Sequence, residues 1–216
     1  AVMSELYGKA SGTSGGMGGS MHMFGAGSRF MGGHGIVGAQ AGLALGMAWA
    51  IHYRGGDQVC VCFLGDAAVN QGAFHESMNM AAIWNLPVIY VVENNAYGMG
   101  TKFSRMSDTE IVKKAASHGV PATVVDGEDV MATYARFDGL VESVRQGAGP
   151  QFVDVNVYRF KGHSMSDPAK YRTREEVDKV RHDSDPIEQV RQRLLDLKVS
   201  EQELKSVDAE VREIVN

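Results

Sequence analysis

Gly65-Asp66-Ala67 and, at the end of the next hydrophobic run, Asn94-Asn95 decide how this chain folds. Ahead of the first stretch, Val59-Cys60-Val61-Cys62-Phe63-Leu64 is a short apolar run rich in β-branched residues, bounded by Gly55-Gly56-Asp57 and Gly65. It reads as a strand buried on both faces. From Gly72 to Trp84 the apolar positions Phe74, Met78, Ala81 and Ala82 recur at helical spacing. Leu86-Pro87 interrupts that pattern, and Val88-Ile89-Tyr90-Val91-Val92 is a second buried-strand run. Strand, helix and strand in this order predict a parallel pair joined by a right-handed crossover. Ligands of such units collect at the carboxyl ends of the strands, where Asp66 and Asn94-Asn95 both fall.

Two hard oxygen donors facing one point suit a magnesium ion that carries the diphosphate of a cofactor. Either half alone is most simply a turn with a helix cap, or a polar loop. Both halves at this spacing, with a strand-helix-strand unit between them, favour the metal site. Amides at the start of an Ala67-Ala68-Val69 helix would then point at phosphates, aided by the helix dipole.

The spacing resembles the thiamine-diphosphate motif, Gly-Asp-Gly followed after a fixed interval by Asn-Asn. Asp66 and Asn95 match its two side-chain metal ligands, and the backbone carbonyl of Tyr97 matches the third. The motif's third residue is usually Gly; here it is Ala67, whose methyl is expected to crowd the diphosphate. The likeness extends along nearly the whole chain. Gly65 to Thr101 is similar to the α subunits of pyruvate dehydrogenase E1, in the thiamine-diphosphate-dependent 2-oxo acid dehydrogenase E1 family. So are Gly18-Gly19-Ser20-Met21-His22-Met23, Gly32 to Gln40, Tyr158 to Pro168 and Tyr171 to Glu176.

The resemblance implies a set of roles. The backbone at Gly35 and Val37 would hold the aminopyrimidine ring, and the Ala67-Ala68 amides and Arg159 the diphosphate. An arginine suits phosphate because its donors form a planar fork. His163 would lie beside the cofactor and take part in proton transfer during acyl transfer to a lipoyl group, as an imidazole can near neutral pH. Ser164 matches a position phosphorylated in mitochondrial members, while Lys170 replaces a further serine that those members carry before Tyr171. The implied activity is magnesium-dependent oxidative decarboxylation of pyruvate, with the acetyl group passed to the lipoyl group of a dihydrolipoyl acyltransferase (E2), and only together with an E1 β subunit in an α2β2 assembly. Acetoin and branched-chain 2-oxo acid dehydrogenase α subunits share that chemistry and stay open. A non-catalytic assembly subunit is the alternative of another class.

The glycine-rich residues 8 to 38 could also be a flexible linker on composition alone. They carry no dinucleotide fingerprint, since Gly25-Ala26-Gly27 lacks the third glycine and a preceding strand. His22 and His34 read as structural or substrate-peripheral, not catalytic. At 216 residues and 44% hydrophobic content, one sizeable α/β domain is expected. A net charge of −5 without a basic cluster argues against nucleic acid. No apolar run approaches membrane-spanning length, and the sequence reads as carrying no signal peptide. Cys60 and Cys62 share a strand face as small buried residues, which suits a reducing compartment. That compartment is the cytoplasm for a bacterial protein and the mitochondrial matrix for a eukaryotic one.

The remaining elements predicted are a helix from Thr109 to Ala116, a strand from Ala122 to Val125, a helix from Val130 to Arg145 and a strand from Gln151 to Tyr158. Charged amphipathic helices then span Glu175 to Val180, Pro186 to Leu197 and Ser200 to Val215. Asp185 caps the second and a Ser200/Glu203 capping box opens the third. The expected fold class is α/β, a parallel sheet flanked by helices. Its domain would be residues 1–174, with 175–216 a helical segment packing on it or on a partner. The first residue is Ala1, and the matched segments begin well inside the family pattern. The chain is therefore expected to be N-terminally incomplete, lacking upstream helices, a tyrosine and an arginine of the cofactor pocket.

Overall fold

The computed structural model describes residues 1–215. A short helix α1 (Val2–Leu6) precedes the glycine-rich stretch, and α2 (Ala39–Tyr53) follows it. The stretch between them is organised around one buried side chain. Glu5 accepts hydrogen bonds from the amides of Ser14, Gly16 and Gly18. Burial works to raise its carboxyl, but those amides outweigh it and hold the group below the usual range. A Cβ on Gly18 would fall 2.1 Å from the His22 carbonyl oxygen, so close packing and not slack explains this glycine.

The central unit follows the predicted order: β1 (Cys60–Gly65), a 3₁₀ turn (Asp66–Asn70), α3 (Gly72–Ile83) and β2 (Val88–Asn94). After it come a tiny hairpin, β3 (Tyr97–Gly98) with β4 (Thr101–Lys102), then α4 (Ile111–Ala116), β5 (Ala122–Asp126), α5 (Val130–Arg145) and β6 (Gln151–Asn156). The helices α6 (Arg174–Ser184), α7 (Pro186–Asp196) and α8 (Glu201–Val215) close the described chain. Four strands pair in parallel in the order β1-β2-β6-β5. The α/β class with a helix-flanked parallel sheet is therefore as expected.

The two sheet faces carry separate cores. On one, Cys62, Leu64, Val88, Tyr90, Val92 and Phe152 pack with residues of α2, α3 and α4. On the other, Ile89, Val91, Val153 and Val155 pack with Leu140 and Val144 of α5. β2 is buried along Val88–Val92 because it lies between neighbours and under helices on both faces.

Some expectations need correction. β1 is buried on one face only: Phe63 is 59% exposed and Val61 is exposed too. Its position at the sheet edge explains this, since α5 packs on the second face at β2, β5 and β6 and leaves β1 open there. The Ala67-Ala68-Val69 segment is a single 3₁₀ turn and not the start of a longer helix, so it has no macrodipole of consequence. α4 starts at Ile111, because Ser107 and Thr109 are tied to each other in a local turn ahead of it. β6 stops at Asn156, level with the end of β2 at Asn94.

The helices α6 to α8 hold no buried residue. Their starts are capped by Thr173, by Asp185 (2.8 Å from the Ile187 amide) and by the reciprocal Ser200–Glu203 box. Arg193 of α7 pairs with Asp129, the N-cap of α5, at 2.6 Å, and Tyr158 donates to Glu176 of α6.

Because α3 is pinned by Phe74, fully buried and edge-on to Phe152, Phe74→Ala is expected to cost about 3–5 kcal/mol in urea unfolding. Phe63→Ala on the open face of β1 is expected to change stability by only about 0.5 kcal/mol. Equal losses would contradict the one-sided burial of that strand.

Candidate cofactor and metal site

Register aligns the polar residues at the carboxyl edge of the sheet. Gly65 pairs with Glu93, Asn94 with Asn156 and Asn156 with Asp126, so Asp66 follows directly into that row. Asp66 is 1% exposed, and its Oδ2 has no hydrogen-bond partner. Burial raises its carboxyl above the usual range, opposed by its own amide, the Ala67 amide and the charge of Arg159. A buried carboxylate oxygen without a partner is costly, and a cation placed there would offset that cost.

The second half of the site is a tight turn. Asn94 Oδ1 accepts from the Ala96 amide at 3.0 Å and Asn95 Oδ1 from the Tyr97 amide at 3.2 Å. These bonds hold Ala96 at φ 64°, a left-handed conformation unusual for a residue with a Cβ. The turn delivers β3 against the Asp66–Asn70 turn: a Cβ on Gly98 would stand 2.7 Å from the Ala67 methyl. Asp66 and the Asn95–Tyr97 backbone thus belong to one local cluster. A carboxylate, an amide oxygen and a main-chain carbonyl form the hard-oxygen donor set that suits magnesium. The methyl of Ala67 lies against Gly98, so the glycine accommodates the alanine that departs from the motif.

Gly35 and Val37 lie on an exposed segment that reaches the same turn through Gly38. Gly38 has φ 83°, and a Cβ there would come within 2.8 Å of the Gln71 side chain. Sequence reasoning passed over Gly38, although a glycine ahead of a helix was its signal. His22 packs its ring beside Gly35, and His34 stands edge-on to Phe24.

Arg159 is half-buried, and its guanidinium is largely committed within the protein. One Nη donates to the Met99 carbonyl and to the Tyr171 hydroxyl (2.7 Å), while Nε has no partner. The other Nη lies 3.4 Å from His163 Nδ1. Arginine can only donate, so Nδ1 accepts, and a neutral His163 carries its proton on Nε2. His163 itself is exposed, as are Ser164 and Ser166.

Three residues without a predicted role organise this loop. Asp167 accepts from the His163 amide (2.8 Å), the Tyr171 hydroxyl (2.7 Å) and the Ala169 amide (2.9 Å). Those bonds pull its carboxyl down to about 2. Tyr171 packs against Tyr97 with ring centroids 5.0 Å apart and planes tilted by 33°. Arg172 is buried against the rings of Tyr97, Tyr158 and Tyr171 at 5.0–5.3 Å and donates to the Arg159 carbonyl. The loop with Arg159 and His163 is thereby fastened to the residue whose carbonyl is a candidate metal ligand.

Two outcomes are expected. Gly98→Ala forces the new methyl onto Ala67 and destabilises the chain by about 1–3 kcal/mol in thermal unfolding; an unchanged midpoint would refute the contact. The Asp167 carboxyl is depressed in the folded state, so its contribution is present above pH 3.8 and is lost as pH falls through about 2. Amide exchange at His163 and Ala169 should stay slow down to pH 4 and quicken only below it, after correction for intrinsic exchange.

A family model described as "Dehydrogenase E1 component" matches residues 1–216. The chain is 55% identical over 216 residues to the pyruvate dehydrogenase E1 component subunit alpha of Rhizobium meliloti, covering 99% of this chain and 62% of that protein. It is 46% identical to the protein of the same name from Rickettsia felis, over 99% of this chain and 66% of that one. The type II mitochondrial form from Ascaris suum is also 46% identical, over 100% of this chain and 55% of the relative. The chain therefore spans about three fifths of the length of these relatives. With the match running from end to end, this chain belongs to the dehydrogenase E1 component family.

Proposed function

We propose that this chain is the α subunit, or a large part of it, of a pyruvate dehydrogenase E1, and that it binds the diphosphate end of thiamine diphosphate through magnesium. The observation that carries this reading is Asp66, buried with one carboxylate oxygen unpartnered beside the Asn95–Tyr97 turn. Family membership and the names of the relatives support it.

In this reading Asp66, Asn95 and the Tyr97 carbonyl hold the magnesium ion, and Gly35 and Val37 hold the aminopyrimidine. Thiamine diphosphate, when bound, supplies the electron sink for decarboxylation of a 2-oxo acid. The protein supplies position and charge. Arg159 and the Ala67-Ala68 amides would hold the diphosphate. Asp167, Tyr171 and Arg172 keep the loop in place while His163, with Nδ1 facing Arg159, carries its proton on Nε2. Residues 1–174 form the cofactor-binding domain, and the helices from 175 onward cover it or meet a partner. The E1 β subunit completes the site in an α2β2 assembly, and the lipoyl group of E2 takes the acetyl group. The protein works in the cytoplasm of a bacterium or in the mitochondrial matrix. No described helix is long and apolar enough to cross a membrane.

The test is 2-oxo acid-dependent reduction of an artificial electron acceptor by the full-length subunit assembled with its β partner, magnesium and thiamine diphosphate. Preference for pyruvate is expected; preference for acetoin or a branched-chain 2-oxo acid would keep the cofactor site and change the substrate. No turnover in a correctly assembled complex would favour an assembly role. Asp66→Ala is expected to weaken magnesium-dependent cofactor binding by at least about 100-fold in calorimetry, the scale of removing a buried charged partner, and undiminished binding would contradict the metal site.

A further inference from the structure

Asp154 is a buried carboxylate in the middle of an apolar strand, and none of the roles above uses it. It is 6% exposed, sits between Val153 and Val155 on β6, and pairs in register with Val92 and Val124. Such a placement is costly in a strand that could carry valine there. Its surroundings supply a reason. Asp154 Oδ2 accepts from Asn94 Nδ2 at 3.4 Å, and Asn156 Oδ1 accepts from the same nitrogen at 3.3 Å. A carboxylate can only accept, so it dictates which way the Asn94 amide faces. The opposite end of that amide, Oδ1, is thereby turned onto the Ala96 amide. Ala96 is the left-handed residue between the two candidate metal ligands Asn95 and Tyr97.

We infer that Asp154 is a positioning residue for the metal-binding turn: by orienting the Asn94 amide it holds Ala96 in its left-handed conformation, which sets the Asn95 side chain and the Tyr97 carbonyl together. The inference rests on the proposed magnesium site for its functional consequence, but the mechanical link does not need the metal. Asp154 reaches the turn through Asn94 by its Oδ2, while its Oδ1 is buried without a partner. Register makes the link short, because Asn94 and Asp154 lie on the same face of adjacent strands, two residues apart along the ladder.

The test uses the full-length subunit assembled with its β partner, carrying Asp154→Ala or Asp154→Asn. Asparagine keeps an oxygen that accepts from Asn94 but removes the charge, so it separates orientation from charge. Hydrogen exchange across residues 94–98, without metal or cofactor, reads the turn directly. Magnesium titration in the presence of thiamine diphosphate reads its consequence. In Asp154→Ala, exchange at Ala96 and Tyr97 and the magnesium concentration for half-saturation should both rise about tenfold, the scale of one hydrogen bond to a charged group. Asp154→Asn should stay within about threefold of the parent in both, since a neutral acceptor retains part of that bond. Unchanged exchange in Asp154→Ala would overturn the inference. So would an Asp154→Asn variant as impaired as Asp154→Ala, which would make the charge and not the orientation the active feature. If the parent assembly fails to bind the cofactor with magnesium, the proposed function falls, and the exchange result still decides the role of Asp154.

Discussion

Parallel pairing of β1, β2 and β6 in one register brings the ends of three strands level, and the polar chemistry of the chain depends on that alignment. It places Asp66 beyond Gly65, and Asn94 opposite Asn156, at the edge where backbone pairing stops. Asp66 is buried with an oxygen left unpartnered. Natural proteins satisfy most buried polar atoms, and the unpartnered oxygens of Asp66 and of Asp154 lie toward the carboxyl edge of the parallel sheet, where ligands of such folds collect. Burial raises the Asp66 carboxyl, while Arg159 and two amides favour its charged form, as does any cation placed there.

Around that carboxylate the chain builds two supports from different parts of the sequence. One is the Asn94–Tyr97 turn, fastened from below by β6. The other is the 159–172 loop, closed by Asp167 and clamped by Arg172 between tyrosine rings. Both meet at Tyr97, whose backbone belongs to the turn and whose ring belongs to the clamp. An aromatic residue can serve both because its backbone and side chain face different neighbours. The arrangement couples the loop that carries His163 to the geometry of the candidate metal ligands.

Much of this was legible in the sequence, for identifiable reasons. The strand-helix-strand unit announced itself through β-branched runs bounded by Gly65 and Leu86-Pro87, and α5 ran over the predicted Val130 to Arg145. Asp185, Ser200 and Glu203 were readable as caps because capping depends on neighbours a few residues away. What escaped depended on distant partners. An apolar run looks the same in a central and an edge strand, so the exposure of Val61 and Phe63 follows only from the order β1-β2-β6-β5. The 3₁₀ turn after Asp66 was hidden because Ala67 and Ala68 suit a longer helix equally well. Asp154 carried a signal, an acid inside an apolar strand, but its partner Asn94 is 60 positions away in the chain. Asp167 and Arg172 stood in recognised segments, yet their work as fasteners appears only once Tyr97, Tyr158 and Tyr171 converge.

The central claim is that Asp66, Asn95 and the Tyr97 carbonyl hold one metal ion for a diphosphate. The most direct measurement is a crystal structure of the full-length subunit with its β partner and thiamine diphosphate, with manganese in place of magnesium and its anomalous signal recorded. The account predicts a single strong peak within coordination distance of all three oxygens and of the diphosphate, in an octahedral oxygen site of the kind magnesium takes. A cofactor bound with its manganese peak away from Asp66, or an Asp66 carboxylate still without a partner in that crystal, would contradict it.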